Sequence, residues 1–505
     1  SSDGRYLFYV IRDEETLLPY KLFRHEIGTS QEKDVAIYEE RDTTFYLSVG
    51  NTRSMEYIEV NISSTTSSEV RLIKSDSPDM NPQIFLPREE DHLYSVDHDP
   101  ASSRFLIESN WKALNFRLLE TNLNDSSDKN KWKELIPHRE QVLLQSVIPF
   151  PDHLIIMERE NGLRKLKILH KESKAVKEIN FNDPTYTAYL ASNPEYYVDR
   201  FYFGYSSMRT PDSLFSVMLS SGRKRLLKEA EVKGSFSSGD YKVDREFITA
   251  RDGTQVPVSI VYKKNKFIKN GNPIFFYGYG SYGNSIDAGF SSSRLSLLDR
   301  GFIFAIAHVR GGQELGRSWY EDGKIFNKLN TFYDFIDVTK GLLDKGYGNK
   351  DRVYAGGGSA GGLLMGAIVN MEPNLYKGII SNVPFVDVIT TMSDPSIPLT
   401  TGEYSEWGNP DIKEEFEYIM QYSPYDNISE QEYPSILVTA GLWDSQVQYY
   451  EPAKYVAKLR DYNKGKNPIL MKVNMTAGHS GVSGRFESLK ELAMEYAFLL
   501  RLDSN

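Results

Sequence analysis

The sequence contains no cysteine. This absence excludes disulfide bonds, thiolate metal sites and a cysteine nucleophile, and it favours a protein of the reducing cytoplasm. Long apolar runs are also missing, since none reaches the ~18 residues that a membrane span needs. Acidic residues outnumber basic residues and give a formal net charge of −10. Nucleic-acid binding needs a basic surface. We therefore expect neither a membrane nor a nucleic acid as a partner.

What the sequence does contain is the composition of a globular protein, with 505 residues of which 40% are hydrophobic and 25% charged. At about 100–200 residues per domain, this length predicts two or three domains. Residues 1–238 consist of short alternating or β-branched runs, such as "RYLFYVI", "YIEVNI" and "HLIIMER", separated by turn residues. Closely spaced strands without helices are typical of a sandwich, barrel or propeller. At ~40–50 residues per four-stranded blade, we predict a partial β-propeller of about five blades.

Residues 239–505 have a different texture. Apolar strands such as "PIFFYGYG", "FIFAIAHVR" and "SILVTAG" alternate here with helical stretches such as "SRLSLLDRG", "NTFYDFIDVTKGLLDKG" and "YEPAKYVAKLRDY". This alternation predicts a mostly parallel sheet with helices on both faces. In such folds the chemistry lies at the carboxyl ends of the strands. We expect the functional residues of this domain at those strand ends.

A candidate nucleophile lies in the stretch "RVYAGGGSAGGLLMGAIVNM". Gly357-Gly358-Ser359-Ala360-Gly361 matches the G-x-S-x-G pattern between a predicted strand and a predicted helix. This nucleophile elbow holds its serine on a strained turn, so the neighbouring residues must be small. A Gly-rich strand-to-helix turn without chemistry is the alternative interpretation. The flanking strand and helix favour a nucleophilic Ser359.

A nucleophilic serine needs a base and an acid. In the α/β-hydrolase order of serine, acid and histidine, His479 in "NMTAGHSG" is the one histidine after Ser359. Asp444 in "SILVTAGLWDSQV" follows a strand between them and can orient the imidazole. His308 precedes the serine, and we interpret it as a hydrogen-bonded histidine at a strand end. The sequence thus predicts a Ser359–His479–Asp444 triad.

An oxyanion formed at Ser359 also needs hydrogen-bond donors. The backbone N–H of Ala360, directly after the nucleophile, is the first donor that this fold provides. A second donor is expected from the loop after an early strand, where the sequence reads "FFYGYGSYG".

The same loop carries a competing motif. Gly278-x-Gly280-x-x-Gly283 matches a dinucleotide-binding fingerprint after a strand. That hypothesis requires an acidic residue at the end of the next strand to hold the ribose. The sequence there is "AIAHVRGGQE", which offers His308 and Arg310 instead. "NSIDAGFS" also delays the helix beyond the last glycine, so nucleotide binding is the weaker alternative.

Taken together, these motifs resemble the oligopeptidase B group of the prolyl oligopeptidase family of serine peptidases. The resemblance runs from "ARDGTQVPVSIVY" through "RLSLLDRGFIFAIAHVRGG", "GGSAGGLLMGA", "IPLTTGEYSEWGNP" and "VQYYEPAKYVAKLR" to "SGRFESLKELAMEYAFLL". The β-rich half is similar more loosely, as in "TFYLSVGNTRS" and "YTAYLASNPE". The resemblance implies an α/β-hydrolase domain capped by a β-propeller that limits access to short peptides.

The resemblance also implies an activity and a set of site residues. Short peptides are cleaved after Arg or Lys, without a metal or cofactor. Matched by motif, Ser359, Asp444 and His479 are the triad, and the hydroxyl of Tyr279 joins the Ala360 N–H in binding the oxyanion. A prolyl-oligopeptidase-like peptidase or an esterase of different specificity would use the same triad. An inactive relative acting as a scaffold is a further alternative.

The residues implied for binding a basic side chain are Glu403, in "GE", and Asp287, in "SID". Two departures from the family pattern bear on them. The second acid of "GE-x-E" is replaced by Ser405, and Glu406 follows one position later. The second acid after "SID-x" is replaced by Gly289. We therefore expect a weaker preference for basic residues than is usual in this group.

A third departure is length, because the relatives begin well upstream of "SSDGRYLFYV". The sequence therefore predicts a domain that is incomplete at its N-terminal end. The missing segment of the same protein is a candidate partner, either as another chain or as part of a longer one. A truncated cap is the alternative.

Overall fold

The computed structural model describes residues 1–484 and 486–504, so Arg485 and Asn505 of the predicted domain 239–505 lie outside the described residues. Five small antiparallel sheets form in the first part of the chain. Sheet by sheet, their strands are β1 (Tyr6–Arg12), β2 (Pro19–Glu26) and β3 (Val35–Glu39); β4 (Tyr46–Asn51), β5 (Tyr57–Ser63), β6 (Ser68–Lys74) and β7 (Gln83–Leu86); β8 (Tyr94–Asp99), β9 (Arg104–Ser109), β10 (Arg117–Thr121) and β11 (Lys133–Ile136); β12 (Val142–Pro149), β13 (His153–Glu160), β14 (Leu163–His170) and β15 (Val176–Ile179); β16 (Thr187–Leu190), β17 (Arg200–Ser206), β18 (Ser213–Met218) and β19 (Lys224–Glu229).

Alternating apolar residues explain both the strands and the way their sheets pack. In β5, Ile58, Val60 and Ile62 are buried, and the residues between them are more exposed. Apolar cores then join the first sheet to the second, the second to the third, the third to the fourth and the fourth to the fifth. This face-to-face packing of successive sheets is the arrangement of propeller blades.

The second part of the chain forms one eight-stranded sheet in the order β20-β21-β23-β22-β24-β25-β26-β27. β20 and β21 pair antiparallel, as do β21 and β23, and the other neighbours are parallel. The strands are β20 (Tyr241–Thr249), β21 (Gln255–Lys263), β22 (Ile274–Tyr277), β23 (Ile303–Ala307), β24 (Val353–Gly358), β25 (Gly378–Asn382), β26 (Ser435–Gly441) and β27 (Ile469–Asn474).

Helices cover both faces of this sheet. They are α1 (Leu295–Leu298), α2 (Arg317–Glu321), α3 (Leu329–Asp344), α4 (Ala360–Met371), α5 (Val388–Met392), α6 (Tyr404–Trp407), α7 (Lys413–Ile419), α8 (Tyr450–Tyr462) and α9 (Glu487–Asp503). One core packs the sheet against α3, α4 and α8, and a second packs the opposite face against α1 and α9. Burial on both faces explains why the central strands are almost continuously apolar.

The strand order places the functional region. The chain passes from β22 to β23 on one side and then returns to β24 on the other side of β22. Ligands bind at such a switch point, beyond the carboxyl ends of the strands. The loops that follow β22 and β24 begin there, and they carry Tyr279 and Ser359.

Among the helices of residues 1–484 and 486–504, none combines the length and the apolar character of a membrane span.

Candidate active site

Ser359 lies between β24 and α4 with φ 56° and ψ −120°. A positive φ is rare for a residue other than glycine and marks local backbone strain. The strained turn is held by the Ser359 N–H, which donates to the carbonyl oxygen of Asn382 at 2.9 Å. Gly357 is required beside it, because a Cβ there would lie 2.4 Å from the carbonyl oxygen of Gly361. The sequence therefore forms the geometry of a nucleophile elbow.

Asp444 and His479 lie on the loops that follow β26 and β27. The Nδ1 atom of His479 is 2.8 Å from Oδ2 of Asp444. The other carboxylate oxygen accepts the backbone N–H groups of Gln446 and Val447, both at 2.9 Å. These bonds fix the carboxylate, and it in turn orients the imidazole through Nδ1.

The described atoms show no hydrogen bond between Ser359 and His479. The Ser359 side chain instead interacts with the hydroxyl of Tyr279. In the absence of substrate, contacts between a nucleophile and its base are often long and tighten only in the complex. The acid–histidine pair is thus formed, and the serine lies beside a phenol.

Two donors converge near Ser359. The Ala360 N–H is the first of α4 and donates to no acceptor among the described residues. Burial raises the pKa of Tyr279 to about 12, so its hydroxyl stays protonated and able to donate at neutral pH. An unused amide and a neutral phenol beside a serine are the donors that a developing oxyanion requires.

Ser359 opens into a cavity of about 320 Å³ that also contains a carboxyl group. Glu403 lies in this cavity, and its Oε2 atom accepts the Tyr282 hydroxyl at 2.7 Å and the Trp407 indole N–H at 2.9 Å. Burial raises the pKa of Glu403 to about 7. The other lining residues are mostly apolar: Tyr279, Phe385, Thr391, Met392, Pro398, Leu399, Thr400, Gln446 and Val447.

Comparison with known proteins identifies the family. Residues 1–230 match the model of the prolyl oligopeptidase N-terminal beta-propeller domain, and residues 288–504 match that of the prolyl oligopeptidase family. The chain is 46% identical over 502 residues to dipeptidyl aminopeptidase BI of Pseudoxanthomonas mexicana, covering 99% of this chain and 69% of that protein. It is 43% identical to Protease 2 of Moraxella lacunata, and the match covers 98% of this chain and 71% of that protein.

This chain belongs to the prolyl oligopeptidase family. It is a serine peptidase, and the predicted fold of an α/β-hydrolase domain preceded by a β-propeller is confirmed. Among solved structures, oligopeptidase B from Trypanosoma brucei with covalently bound antipain, in its closed form, has a TM-score of 0.95 at 37% identity. This match covers 99% of the chain described here and 72% of the Trypanosoma brucei chain. Oligopeptidase B from Leishmania major has a TM-score of 0.94 at 39% identity, with coverages of 99% and 71%.

Not every residue expected to bind substrate lies in the cavity of this peptidase. Asp287 lies outside it, held by guanidinium groups of Arg159 at 2.8 Å and Arg164 at 3.1 Å and by the Thr187 hydroxyl at 3.1 Å. Although burial favours its neutral form, the two arginines hold the pKa of Asp287 below its usual value. The structure thus pairs the charge of Asp287 with side chains of the propeller domain, and a role for Asp287 in binding substrate stays a prediction.

The two positions noted beside Glu403, Ser405 and Glu406, do not line the cavity. Glu406, noted from the sequence as a displaced second acid, is 1% exposed. Its carboxylate accepts the Tyr282 N–H at 2.8 Å and the Tyr320 hydroxyl. In this peptidase Glu403 is thus the carboxyl group that shares the cavity with Ser359.

The dinucleotide alternative fails on the geometry of the glycine-rich loop. After β22 ends at Tyr277, the next helix, α1, begins at Leu295, so no helix N-terminus meets the loop of Gly278, Gly280 and Gly283. Arg310 is buried in ion pairs with Asp252 and Asp334, both at 2.6 Å, and cannot serve a ribose or a phosphate.

Two further observations concern a histidine and the possibility of a metal site. His308 lies at the end of β23, and its Nε2 is 2.7 Å from the Ser259 hydroxyl, as expected of a hydrogen-bonded strand-end histidine. In the part of the chain that the structure describes, no three His, Asp or Glu side chains converge in a way that could hold a metal ion.

Sequence reasoning missed Tyr282, Trp407 and Lys328, which surround Glu403 and the loop after β22. The bond from Tyr282 to Glu403 joins segments more than 120 residues apart, and the bond from Trp407, although only four residues from Glu403, matters only because Glu403 lies in the cavity. Lys328 carries no local signal, because a lysine ahead of a helix is ordinarily a solvent-exposed residue.

Proposed function

We propose that this peptidase hydrolyses short peptides on the carboxyl side of Arg or Lys through an acyl-enzyme. Ser359 attacks the scissile carbonyl, and His479 takes its proton and passes it to the leaving amine. Asp444 orients His479 through Nδ1 and stabilises the imidazolium. The Ala360 N–H and the Tyr279 hydroxyl bind the oxyanion. Water then releases the acyl group by the same steps in reverse.

One observation carries the specificity proposal: Glu403 and Ser359 share a single cavity. Neutral donors from Tyr282 and Trp407 bind one carboxylate oxygen of Glu403, and no cation pairs with it among the described residues. A substrate guanidinium or ammonium can complete the pair, and its charge favours the ionised carboxylate. A cavity of about 320 Å³ has room for one long side chain. The apolar walls pack against the methylene groups of Arg or Lys.

Ser359 and His479 must come into contact for this mechanism. The Asp444 loop and the His479 loop already touch, because the Trp443 N–H donates to the Ala477 carbonyl oxygen at 3.0 Å. A Cβ on Gly441 would also lie 2.6 Å from the carbonyl oxygens of Ala477 and Gly478. We propose that the two loops act as one unit when substrate brings His479 to the serine.

A substrate panel tests the proposal. N-acylated chromogenic peptides ending in Arg, Lys, Ala or Pro, together with a short acyl ester, are compared for the natural protein and Ser359→Ala. We expect Arg and Lys to be preferred and the variant to lose at least 10³-fold in kcat/KM. Activity that survives in Ser359→Ala contradicts the mechanism. Preference for Pro, or for the ester over every peptide, contradicts the specificity and supports one of the two alternatives predicted from the sequence.

The name of one relative, dipeptidyl aminopeptidase BI, points to a second candidate function. An enzyme that removes dipeptides must recognise a free amino terminus. The panel therefore includes each Arg peptide with a free and with an acylated amino terminus. Comparable hydrolysis of both forms supports an oligopeptidase, and a strict requirement for the free amine supports the dipeptidyl peptidase. A cytoplasmic location and an upstream segment of the same protein as a partner stay predictions from the sequence.

A further inference from the structure

Two buried charged side chains, Lys328 and Glu406, lie next to the cavity and have no part in the mechanism proposed above. Each is 1% exposed. Burial lowers the pKa of Lys328 to about 8 and raises that of Glu406, and each charge opposes the shift of the other. Charges in such surroundings are retained only where their hydrogen bonds compensate the loss of water. Their hydrogen bonds therefore indicate what they do.

Lys328 binds one side of the loop that follows β22. Its ammonium donates to the carbonyl oxygen of Gly280 at 2.6 Å and to the hydroxyl of Ser281 at 2.7 Å. A third bond, to the carbonyl oxygen of Gly323, measures 3.2 Å. The same ammonium lies 5.0 Å from the centre of the Trp407 ring. Lys328 thus ties the loop to α3 and to the floor of the cavity.

Glu406 binds the same loop from α6, three residues after Glu403. One carboxylate oxygen accepts the N–H of Tyr282 at 2.8 Å. The other accepts the Tyr320 hydroxyl from α2. A carboxylate with both oxygens engaged by neighbouring elements is a rigid anchor, and charge-assisted bonds are the strong ones.

The loop needs such anchors because its backbone is strained. Tyr282 has φ 61°, a left-handed conformation that is unfavourable for a residue with a side chain. Gly280 has φ 75°, and a Cβ there would lie 2.4 Å from Thr331. Lys328 binds the carbonyl of Gly280, and Glu406 binds the N–H of Tyr282. The two charges therefore bind the loop at two of its left-handed residues.

We propose that Lys328 and Glu406 are positioning residues that hold this loop for catalysis and for specificity at once. The loop carries the Tyr279 hydroxyl beside Ser359 and the Tyr282 hydroxyl on Glu403. Fixing the backbone between Tyr279 and Tyr282 therefore sets the positions of both hydroxyl groups. The inference rests on the proposed function and adds a shared support for the oxyanion donor and the specificity carboxylate.

The test uses hydrolysis of matched Arg and Ala peptides by Glu406→Gln and Lys328→Met. Both changes keep the size of the side chain and remove its charge. We expect kcat on the Ala peptide to fall about tenfold or more, since a misplaced donor costs transition-state stabilisation. We also expect the Arg:Ala ratio of kcat/KM to fall. Tyr282→Phe is expected to lower the ratio, and Tyr279→Phe to lower kcat.

A double-mutant cycle separates positioning from general destabilisation. If Glu406 acts through Tyr279, adding Glu406→Gln to Tyr279→Phe changes kcat on the Ala peptide less than twofold. Lys340→Met, the same substitution at an exposed lysine on α3 paired with Glu372, is the control and leaves both readouts unchanged. Tyr320→Phe removes one hydrogen bond to Glu406 without removing a charge, and it is used as the test variant if the charge variants do not fold. It shifts both readouts in the same direction.

Additive losses of kcat across the cycle overturn the proposal, as does an Arg:Ala ratio that stays unchanged in Glu406→Gln and Tyr320→Phe. Failure of the proposed function has a different signature. In that case Tyr279→Phe keeps full kcat or Ser359→Ala stays active. The Arg:Ala ratio of kcat/KM still shows whether Glu406 supports Glu403.

Discussion

At the scale of single residues, Glu403 has the most informative environment. Its carboxyl group is half-buried, accepts two neutral donors and has no cationic partner among the described residues. Burial disfavours its charge and raises its pKa to about 7, and the nearby Glu406 adds to this effect. A purely structural glutamate would gain from a permanent lysine or arginine partner. Glu403 has instead an opening towards the cavity of Ser359.

We predict that Glu403→Gln lowers the Arg:Ala ratio of kcat/KM by roughly 30-fold or more, because removing one member of a desolvated charge pair costs about 2–5 kcal/mol. Hydrolysis of the Ala peptide itself should change little, since Ser359 and its donors are untouched. Steady-state kinetics on the two peptides measure this. Glu415→Gln on α7 is the matched control. An unchanged ratio means that Glu403 does not select the substrate.

The pH dependence of selectivity follows from the same carboxyl group. In the free enzyme Glu403 becomes charged only as pH rises through about 7. We therefore expect the Arg:Ala ratio of kcat/KM to increase between pH 6 and pH 8. Both peptides are hydrolysed by the same triad, so pH effects on the chemical step cancel in the ratio. A ratio that is flat over this range, or that falls, contradicts the assignment.

The contribution of Glu403 to the stability of the folded protein should fall as pH rises, whereas the Arg:Ala ratio should increase. A carboxyl group whose pKa is raised by folding destabilises the folded state above that pKa, and the penalty fades as pH falls towards its unfolded value of 4.5. Glu403→Gln should therefore raise Tm at pH 8. The gain should shrink progressively below pH 7 and approach zero near pH 4. Thermal unfolding followed at several pH values measures it, and a variant that is less stable at pH 8 contradicts the burial account.

At the scale of elements, the strand–turn–helix around Ser359 is encoded locally. "RVYAGG" supplies an apolar strand, "LLMGAIVNM" an apolar helix, and the small residues between them allow the strained turn. For this reason the sequence predicts the elbow, as well as α3, which begins one residue before the stretch "NTFYDFIDVTKGLLDKG", and α8, which coincides with "YEPAKYVAKLRDY". "SRLSLLDRG" yields only the single turn of α1.

We predict that Gly357→Ala lowers kcat/KM by at least tenfold, because its Cβ would lie 2.4 Å from the backbone of Gly361 and shift the elbow. Gly358→Ala is the matched control one residue along. The nearest atom to its Cβ is 3.4 Å away, so its effect should be much smaller. Equal losses in the two variants contradict the steric explanation. Folding of both is checked by their thermal unfolding.

Contacts between distant elements are what the sequence could not provide. The buried bonds of Lys328 and Glu406 join α3 and α6 to a loop about 50 and 120 residues away. No periodicity or motif reports such a pairing, because each residue alone reads as an ordinary surface charge. The same holds for Asp287, whose arginine partners belong to the other domain.

At the scale of the whole molecule, Asp287 links the α/β domain to the propeller. Arg159 on β13, Arg164 on β14 and Thr187 on β16 all bind its carboxylate. A half-buried carboxylate bound by two guanidinium groups and a hydroxyl is held more strongly than one in an exposed ion pair. Its place between the domains makes it a candidate determinant of how firmly they stay together.

We predict that Asp287→Ala weakens this coupling without changing substrate choice. Calorimetry should show a lower Tm or two separated transitions, and the kcat/KM ratio of dibasic to monobasic peptides should stay within twofold of that of the natural protein. Asp299→Ala, which breaks a pair with Lys263 inside the α/β domain, is the control. A selective loss on dibasic peptides would instead restore Asp287 as a residue that binds substrate.

The central claim is that Ser359 is the nucleophile of a peptidase whose cavity selects a basic side chain. The most direct measurement is the rate at which peptidyl phosphonates of Arg and of Ala label the protein, with the adduct located by mass spectrometry. We predict one adduct, on Ser359, formed roughly 30-fold or more faster by the Arg reagent, and a loss of that preference in Glu403→Gln. An adduct on another residue, or equal rates for the two reagents, would contradict it.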